Sequence, residues 1–150
     1  MPTSPETDFN HHSVETYQGS VYPWQCDSFG HMNTQFYMMC FDQAELGLFA
    51  HMGLSAATLE PDNLGWADVH HAITYREEVQ VGSHVVCRST VIRTGRTSLH
   101  SLHKLFRLER GTEVLSAELE AATVMFDLGA RKAHPLPENI DEIIAALRDR

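Results

Sequence analysis

The chain has 150 residues, a hydrophobic fraction of 43% and a formal net charge of −9 at pH 7 with neutral histidines. This length predicts a single domain, and the hydrophobic fraction excludes an intrinsically disordered chain. The acidity and the lack of any lysine- or arginine-rich cluster exclude a nucleic-acid surface and argue against binding to an anionic membrane.

The first third of the chain predicts an arm, a short strand and a long buried helix. Residues 1–18 are polar and are expected to form a flexible arm, with the folded domain spanning residues 19–150. Residues 20–26 predict a short edge strand. A helix is expected from residue 34 to about residue 52, because twelve of the seventeen residues 36–52 are apolar and no polar face opposes them.

The rest of the chain predicts consecutive strands and a final helix. The strand predicted at 68–79 should place Val69, His71, Ile73 and Tyr75 on one face. Short turns connect antiparallel neighbours, so we expect the strands to pair in chain order. The predicted elements are strands at 68–79, 85–93, 98–108 and 114–128, and a C-terminal helix with a capping-box pattern at Asn139 and Glu142.

These elements predict an α+β fold, in which a curved antiparallel sheet wraps around one long central helix. The outer face and the edges of such a sheet need cover, because unpaired strand edges and exposed apolar surface promote association. We therefore expect a homodimer or a homotetramer.

A polar motif, D-x-x-G-H-x-N, directly precedes the apolar helix. Asp27 could be a catalytic carboxylate or could cap a turn. His31 could orient water or a carbonyl group, or could bond to the backbone. Asn33 could position water or cap the helix. Tyr37, one helical turn further, could line a pocket or belong to the core.

Four segments carry a family resemblance: WQCDSFGHMNTQFY (24–37), ITYREEVQVGSHV (73–85), VIRTGRTSLHSLHKLF (91–106) and LEAATVMFDLGARKAHPLPE (119–138). In this order they resemble the hotdog-fold acyl-CoA thioesterases of the 4-hydroxybenzoyl-CoA thioesterase type. The resemblance implies a hotdog fold and hydrolysis of a small-molecule acyl-CoA thioester to a free acid and CoA, with neither a cofactor nor a metal ion.

The resemblance also implies roles for individual residues. Asp27 would be the catalytic carboxylate, acting as nucleophile or as general base, with His31 and Asn33 beside it. A backbone N–H in the loop that enters the second strand would polarise the thioester carbonyl. The implied residues are Gly65 or Trp66 for that N–H and Arg96, Thr97 and Ser98 for the CoA nucleotide. Independently of the resemblance, Tyr37, Phe41 and His71 are candidates for the acyl pocket.

Several alternatives stay open at this point. Asp42 or Glu45, both acidic residues in the apolar helix, could replace Asp27 as the catalytic carboxylate. The same fold could carry an acyl-thioester hydratase or dehydratase, a non-hydrolytic acyl-CoA binder, or an oligomeric scaffold. His70 and His71 are adjacent on a strand and point to opposite faces, so they cannot chelate one metal ion together.

The cysteines and the N-terminal segment predict a cytoplasmic protein. Cys26, Cys40 and Cys87 form no C-x-x-C pair, and an odd number of cysteines suits a reducing compartment. The first residues lack the basic and apolar regions of a signal peptide. The longest apolar stretch is interrupted by acidic residues, so we expect no membrane span.

Overall fold

The computed structural model describes the backbone of residues 5–150 and the side chains of residues 8–150. Single turns of 3-10 helix lie at Pro23–Gln25 and Glu60–Asp62. In this part of the chain the helices are α1 (Pro5–His12), α2 (Thr34–His51), α3 (Ala56–Leu59) and α4 (Ile140–Arg148), and the strands are β1 (Val14–Ser20), β2 (Leu64–Tyr75), β3 (His84–Thr94), β4 (Ser98–Glu109), β5 (Thr112–Asp127) and β6 (Lys132–Ala133).

The strands form one antiparallel sheet that packs against α2, in the order β1-β3-β4-β5-β2, with β6 beside β5. This order corrects the prediction that consecutive strands pair, because β2 pairs with β5 and not with β3. The strand ends at Tyr75 and not near residue 79, so residues 76–83 connect β2 to β3. This connection is longer than a two- to five-residue hairpin loop and can cross from one side of the curved sheet to the other.

The long helix has the predicted bounds. It is capped by Asn33, whose side-chain oxygen accepts the backbone N–H of Gln35 at 3.2 Å. Gly53 follows the helix with a positive φ of 71°, as a C-terminal stop requires. The predicted capping box of α4 is not formed, since the side chain of Asn139 makes no capping hydrogen bond.

The central helix crosses β1 in close contact. A Cβ atom added at Gly47 would overlap the carbonyl oxygen of Thr16. Glycine at this helical position therefore lets the backbone of α2 approach the sheet, although glycine inside a helix costs about 1 kcal/mol relative to alanine.

The predicted N-terminal arm is wrong for residues 14–18, which belong to β1 and pair with β3. An edge strand that is half exposed carries many polar side chains, and this hides its strand character in the sequence. The strand predicted at residues 20–26 is also wrong: β1 ends at Ser20, and Pro23 begins a turn of 3-10 helix. Residues 1–4 lie outside the described part of the chain.

A β-bulge in β2 changes which side chains face the helix. The pairing of β2 with β5 shifts register between Asp68 and His70, so Val69 is an extra residue. Before the bulge Trp66 packs into the core, and after it Ile73 does so. The predicted common face is therefore wrong for Val69, which is 60% exposed.

Two apolar clusters fill the space between α2 and the sheet. The first surrounds the N-terminal half of the helix, where Tyr37 and Phe41 are buried. The second surrounds the C-terminal half, where Leu48 and Phe49 are buried. Within residues 5–150 no helix has the length and hydropathy needed to cross a bilayer.

A belt of polar side chains, most of them buried, runs across the sheet beside α2. Both ring nitrogens of His103 lie within hydrogen-bonding distance of serine hydroxyls, Nδ1 at 2.6 Å from Ser89 and Nε2 at 2.9 Å from Ser101. Burial is the main cause that lowers the pKa of His103 to about 3, so the ring is neutral at pH 7. The polar belt consists of Thr16, Glu45, His71, Ser89, Ser101 and His103.

Candidate active site

Asp27 lies in a tight turn just before α2. Its Oδ1 accepts the backbone N–H of Phe29 at 2.9 Å and the N–H of His31 at 3.4 Å. Gly30 supplies the positive φ of 81° that the turn requires. The carboxylate is exposed in the single chain and caps its own turn, as one of the two interpretations of the sequence expected.

Backbone hydrogen bonds fix this turn to the rest of the domain. The N–H of Met32 donates to the Val79 carbonyl at 2.7 Å, and the N–H of Asn33 donates to the Gln25 carbonyl at 2.8 Å. The turn is therefore anchored on both sides and positions the Asp27 carboxylate near the N-terminal end of α2. Free N–H groups at a helix N-terminus stabilise a nearby negative charge by about 0.3–1 kcal/mol.

The other polar residues of the motif have partners of their own. His31 Nε2 lies 3.1 Å from Glu78 Oε2, with both side chains partly exposed. Asn33 acts as the N-cap. Tyr37 is buried, and its ring packs edge-on against Tyr75 with 5.2 Å between the centroids. Burial is the largest cause that raises the pKa of Tyr37. The structure thus brings all of these predicted residues to one end of the domain, which we call the Asp27 end.

The predicted amide donors lie at the other end of β2. Gly65 and Tyr75 are ten residues apart, which is roughly 33 Å of extended strand. The ring of Trp66 stacks on Phe49 with 4.5 Å between the centroids, and its Nε1 donates to the Leu54 carbonyl at 3.0 Å. Within one chain the structure therefore does not bring Gly65 and Trp66 to Asp27.

The predicted CoA-binding turn lies at this second end as well. Ser98 pairs with Val124, which in turn pairs with Ala67 of β2. The carbonyl of Arg96 accepts the N–H of Leu136 at 2.9 Å, and the Arg96 residue is exposed. Thr97 is half-buried in the same turn. We call this region, with Gly65 and Trp66, the Arg96 end.

The last two predicted pocket residues lie deeper in the domain. Phe41 is completely buried in the first apolar cluster. It is therefore part of the core in the single chain. His71 lies in the polar belt, with its Nε2 at 3.8 Å from Glu45 Oε2.

A second carboxylate site, which the sequence showed only in part, surrounds Glu45. Its side chain is 4% exposed, and one ligand atom each of Glu45, Asp68 and His71 lie within 4.8 Å of one another. Among the described residues, neither Glu45 Oε1 nor His71 Nε2 has a hydrogen-bond partner. Burial, followed by the charges of Asp68 and Asp42, raises the pKa of Glu45 to about 7.

The bulge in β2 explains why the sequence did not point to Asp68. In a regular strand, residues 68 and 71 would point to opposite faces. The extra residue Val69 brings both onto the face of α2. An acidic residue inside an apolar helix was the available signal for Glu45, and it did not identify the other two members.

Exposed apolar side chains border both the Asp27 turn and the free edge of β2. Phe29 is 82% exposed, although it is a large apolar residue. Tyr22 and Trp24, whose rings stack on each other, are exposed as well, and Val69 and Tyr75 are exposed on β2. Large exposed apolar side chains are typical of interaction sites where they form a patch.

Similar solved structures share this fold. A 4-hydroxybenzoyl-CoA thioesterase mutant complexed with 4-hydroxybenzoyl-CoA is 18% identical, with a TM-score of 0.79 over 89% of this chain and 99% of that chain. DHNA-CoA thioesterase from Staphylococcus aureus is 14% identical, with a TM-score of 0.77 over 91% of both chains. A protein from Staphylococcus aureus solved in complex with CoA is 18% identical, with a TM-score of 0.80 over 91% of this chain and 85% of that chain. The predicted hotdog fold is confirmed.

Sequence comparisons extend this result from the fold to the family. A betainyl-CoA thioesterase from Pseudomonas aeruginosa is 24% identical over 87% of this chain and 94% of its own length. The family model of the thioesterase-like superfamily matches residues 21–144. The chain therefore belongs to the thioesterase-like superfamily and is a thioesterase, as the resemblance in its sequence implied.

Proposed function

We propose that this protein hydrolyses an acyl-CoA thioester, with Asp27 as the catalytic carboxylate. One observation carries the assignment: the turn holds an exposed carboxylate near the start of α2 by two hydrogen bonds to Oδ1. The comparison with 4-hydroxybenzoyl-CoA thioesterase supports it, because an Asp→Asn mutant of that protein was solved with its 4-hydroxybenzoyl-CoA ligand.

The chemistry has two routes with the same products. In one, Asp27 attacks the thioester carbonyl, the C–S bond breaks, and water then hydrolyses the mixed anhydride. In the other, Asp27 takes a proton from water, and the resulting hydroxide attacks the carbonyl. In both routes the net reaction adds one water across the C–S bond, which gives the free acid, and the sulfur leaves as the thiol of CoA. Backbone N–H groups would stabilise the oxyanion.

We further propose that a second copy of the chain completes the site. If β2 pairs antiparallel with β2 of the partner, centred between Val69 and His70, Gly65 of the partner lies opposite Thr74. The Arg96 end of one subunit would then meet the Asp27 end of the other. The exposed apolar residues Val69 and Tyr75 on the free edge of β2 support this pairing.

The proposed roles of the remaining residues follow from this arrangement. His31, held near Glu78, would orient water or the carbonyl group. Asn33 would hold the start of the helix in place through its cap on the N–H of Gln35. Arg96, Thr97 and Ser98 of the partner would contact the CoA nucleotide, where an exposed guanidinium can bind phosphate.

The acyl group is the open part of the proposal. The relatives' names include a cationic acyl group, betainyl, and neutral aromatic ones, 4-hydroxybenzoyl and 1,4-dihydroxy-2-naphthoyl.

A substrate panel tests the proposed reaction. Purified protein is incubated with short, branched, aromatic, cationic and 2-enoyl CoA esters, and free thiol is followed with a chromogenic disulfide. We expect thiol release for at least one ester, and its loss in Asp27→Asn. Hydration of the 2-enoyl ester without thiol release would favour the alternative hydratase and contradict the proposal.

We also propose a cytoplasmic location. All three cysteines are unpaired in the structure. Burial raises the pKa of Cys40 to about 11 and that of Cys87 to about 12, which keeps both as thiols. Unpaired thiols are typical of a reducing compartment.

A further inference from the structure

We propose that Glu45, Asp68 and His71, here called the acidic cluster, bind the positively charged end of the acyl group. The preferred substrates would then be CoA esters whose acyl group ends in an ammonium group. This inference rests on the proposed function and names the substrate class of the same enzyme.

Two buried polar atoms of the cluster lack hydrogen-bond partners among the described residues. The Glu45 side chain is almost completely buried, and its Oε1 has no hydrogen-bond partner among the described residues. His71 Nε2 is buried without a partner as well, because its 3.8 Å distance to Glu45 is too long for a hydrogen bond. A buried carboxylate without a partner is strongly unfavourable. A cation bound beside Glu45 would remove this cost.

The charged neighbours of Glu45 are mainly negative. Asp42 on α2 and Asp68 on β2 both act on Glu45 as negative neighbours. On β4 the nearest titratable group of the belt is His103, which is buried and neutral. His71 is the remaining ionisable neighbour. The charges that face Glu45 are therefore predominantly negative, which attracts a cation and repels an acyl group that ends in a carboxylate.

Along α2 and β2, the acidic cluster lies between two aromatic pairs. Phe49 and Trp66 stack across α2 and β2 on one side. Tyr37 and Tyr75 pack edge-on across the same two elements on the other side. Aromatic rings attract alkylammonium groups through the ring quadrupole, so these rings would add to the ionic attraction along the approach to the cluster.

Access to the cluster is through Asp68. This residue is exposed on β2, so it can be reached from the free edge of β2, where we place the boundary between subunits. Glu45 lies eleven residues beyond Thr34 at the start of the helix, which is about 16 Å along the axis. An acyl group that enters beside Asp27 would therefore run along α2 toward the cluster.

Isosteric ester pairs test the inference. In each pair a trimethylammonium end is compared with the tert-butyl end of the same shape: betainyl- with 3,3-dimethylbutyryl-CoA, and 4-trimethylammoniobutyryl- with 5,5-dimethylhexanoyl-CoA. A third pair, 12-trimethylammoniododecanoyl- with 13,13-dimethyltetradecanoyl-CoA, spans the roughly 16 Å between the start of α2 and Glu45. We expect at least one cationic ester to exceed its neutral isostere by about tenfold or more in kcat/KM.

Variants then connect this preference to the cluster. Glu45→Gln and Asp68→Asn should each reduce the ratio of cationic to neutral kcat/KM by about tenfold. Asp141→Asn, which removes an exposed charge on α4, serves as the matched control and should leave the ratio unchanged. Circular dichroism checks that each variant is folded. An unchanged ratio in both cluster variants would overturn the inference.

Binding measurements separate this inference from the proposed reaction. The affinity of each ester for the Asp27→Asn protein is measured by calorimetry, so no turnover is needed. Tighter binding of a cationic ester supports the inference even if the chemistry is assigned wrongly. Equal or tighter binding of every neutral isostere overturns the inference, even if hydrolysis depends on Asp27. A rate that EDTA abolishes and Zn²⁺ restores would also overturn it, because the cluster would then hold a metal ion.

Discussion

Two carboxylates near α2 have opposite environments. Asp27 is exposed, and its Oδ1 accepts two backbone N–H groups. Glu45 is buried, and its Oε1 has no partner among the described residues. The exposed group is held in place but faces open space, whereas the buried group is enclosed but lacks a counterion.

This difference indicates which partner each carboxylate requires. A fixed and exposed carboxylate can react once another surface covers it, and the free edge of β2 offers a place for a second subunit. A buried carboxylate with a raised pKa is unfavourable while no cation is bound beside it, since only a cation stabilises its charge. We therefore assign chemistry to Asp27 and recognition to Glu45.

The largest effect is expected when the exposed carboxylate is changed. Asp27→Asn keeps the side-chain oxygen that caps the turn but removes the nucleophile or base, so turnover should fall by about 100-fold or more. Steady-state thiol release measures this loss, and thermal unfolding should show a stability close to that of the parent protein. Turnover within a factor of three of the parent would move the catalytic role to another carboxylate.

Glu45 should make the free energy of unfolding depend on pH. The pKa of Glu45 is raised to about 7 from an ordinary 4.5, so the folded state holds this proton more tightly than the unfolded chain does. Stability should therefore fall as the pH rises from about 4.5 to 7 and stay lower above that range. Glu45→Gln removes this pH-dependent loss. From pH 5 to pH 8 its free energy of unfolding should therefore rise by about 2–3 kcal/mol relative to that of the parent protein.

Urea unfolding at equal protein concentration, at both pH values, measures this gain. Asp141→Asn is the control, because its exposed carboxylate should change the pH dependence little. The same pH dependence in the parent protein and in Glu45→Gln would mean that Glu45 is already paired in solution.

A smaller effect is expected at the Arg96 end. Arg96→Ala removes a guanidinium that we place on the CoA nucleotide, and it should raise KM about tenfold while lowering kcat less. Arg93→Ala, an exposed arginine on the neighbouring strand β3, is the matched control. A drop in kcat with an unchanged KM would remove Arg96 from the nucleotide site.

The sequence was sufficient to predict the elements that have a clear period. The helix at residues 34–51 and the strands β3, β4 and β5 were predicted to within one to two residues, because long apolar or alternating patterns dominate there. The pairing of β2 with β5 was not predictable from loop length, since the end of the strand was placed four residues too late.

The candidate site was predictable only where it is local in sequence. The Asp27 turn is a short motif, and the structure keeps its members together. The proximity of Asp68 to Glu45 depends on the bulge at Val69, and a bulge leaves no clear trace in an alternating pattern. The division of the predicted site between two ends of the domain depends on an assembly that one sequence does not display.

Subunit complementation tests the central claim most directly, namely that Asp27 of one subunit works with Arg96 of the other. Asp27→Asn and Arg96→Ala chains carrying different tags are co-expressed, and heterodimers are purified through both tags. A shared site leaves one intact site per heterodimer, so kcat/KM should recover to about half of the parent value. If each subunit carries its own complete site, the heterodimer will show no more than about half the activity of the Arg96→Ala protein, and this result would contradict the account.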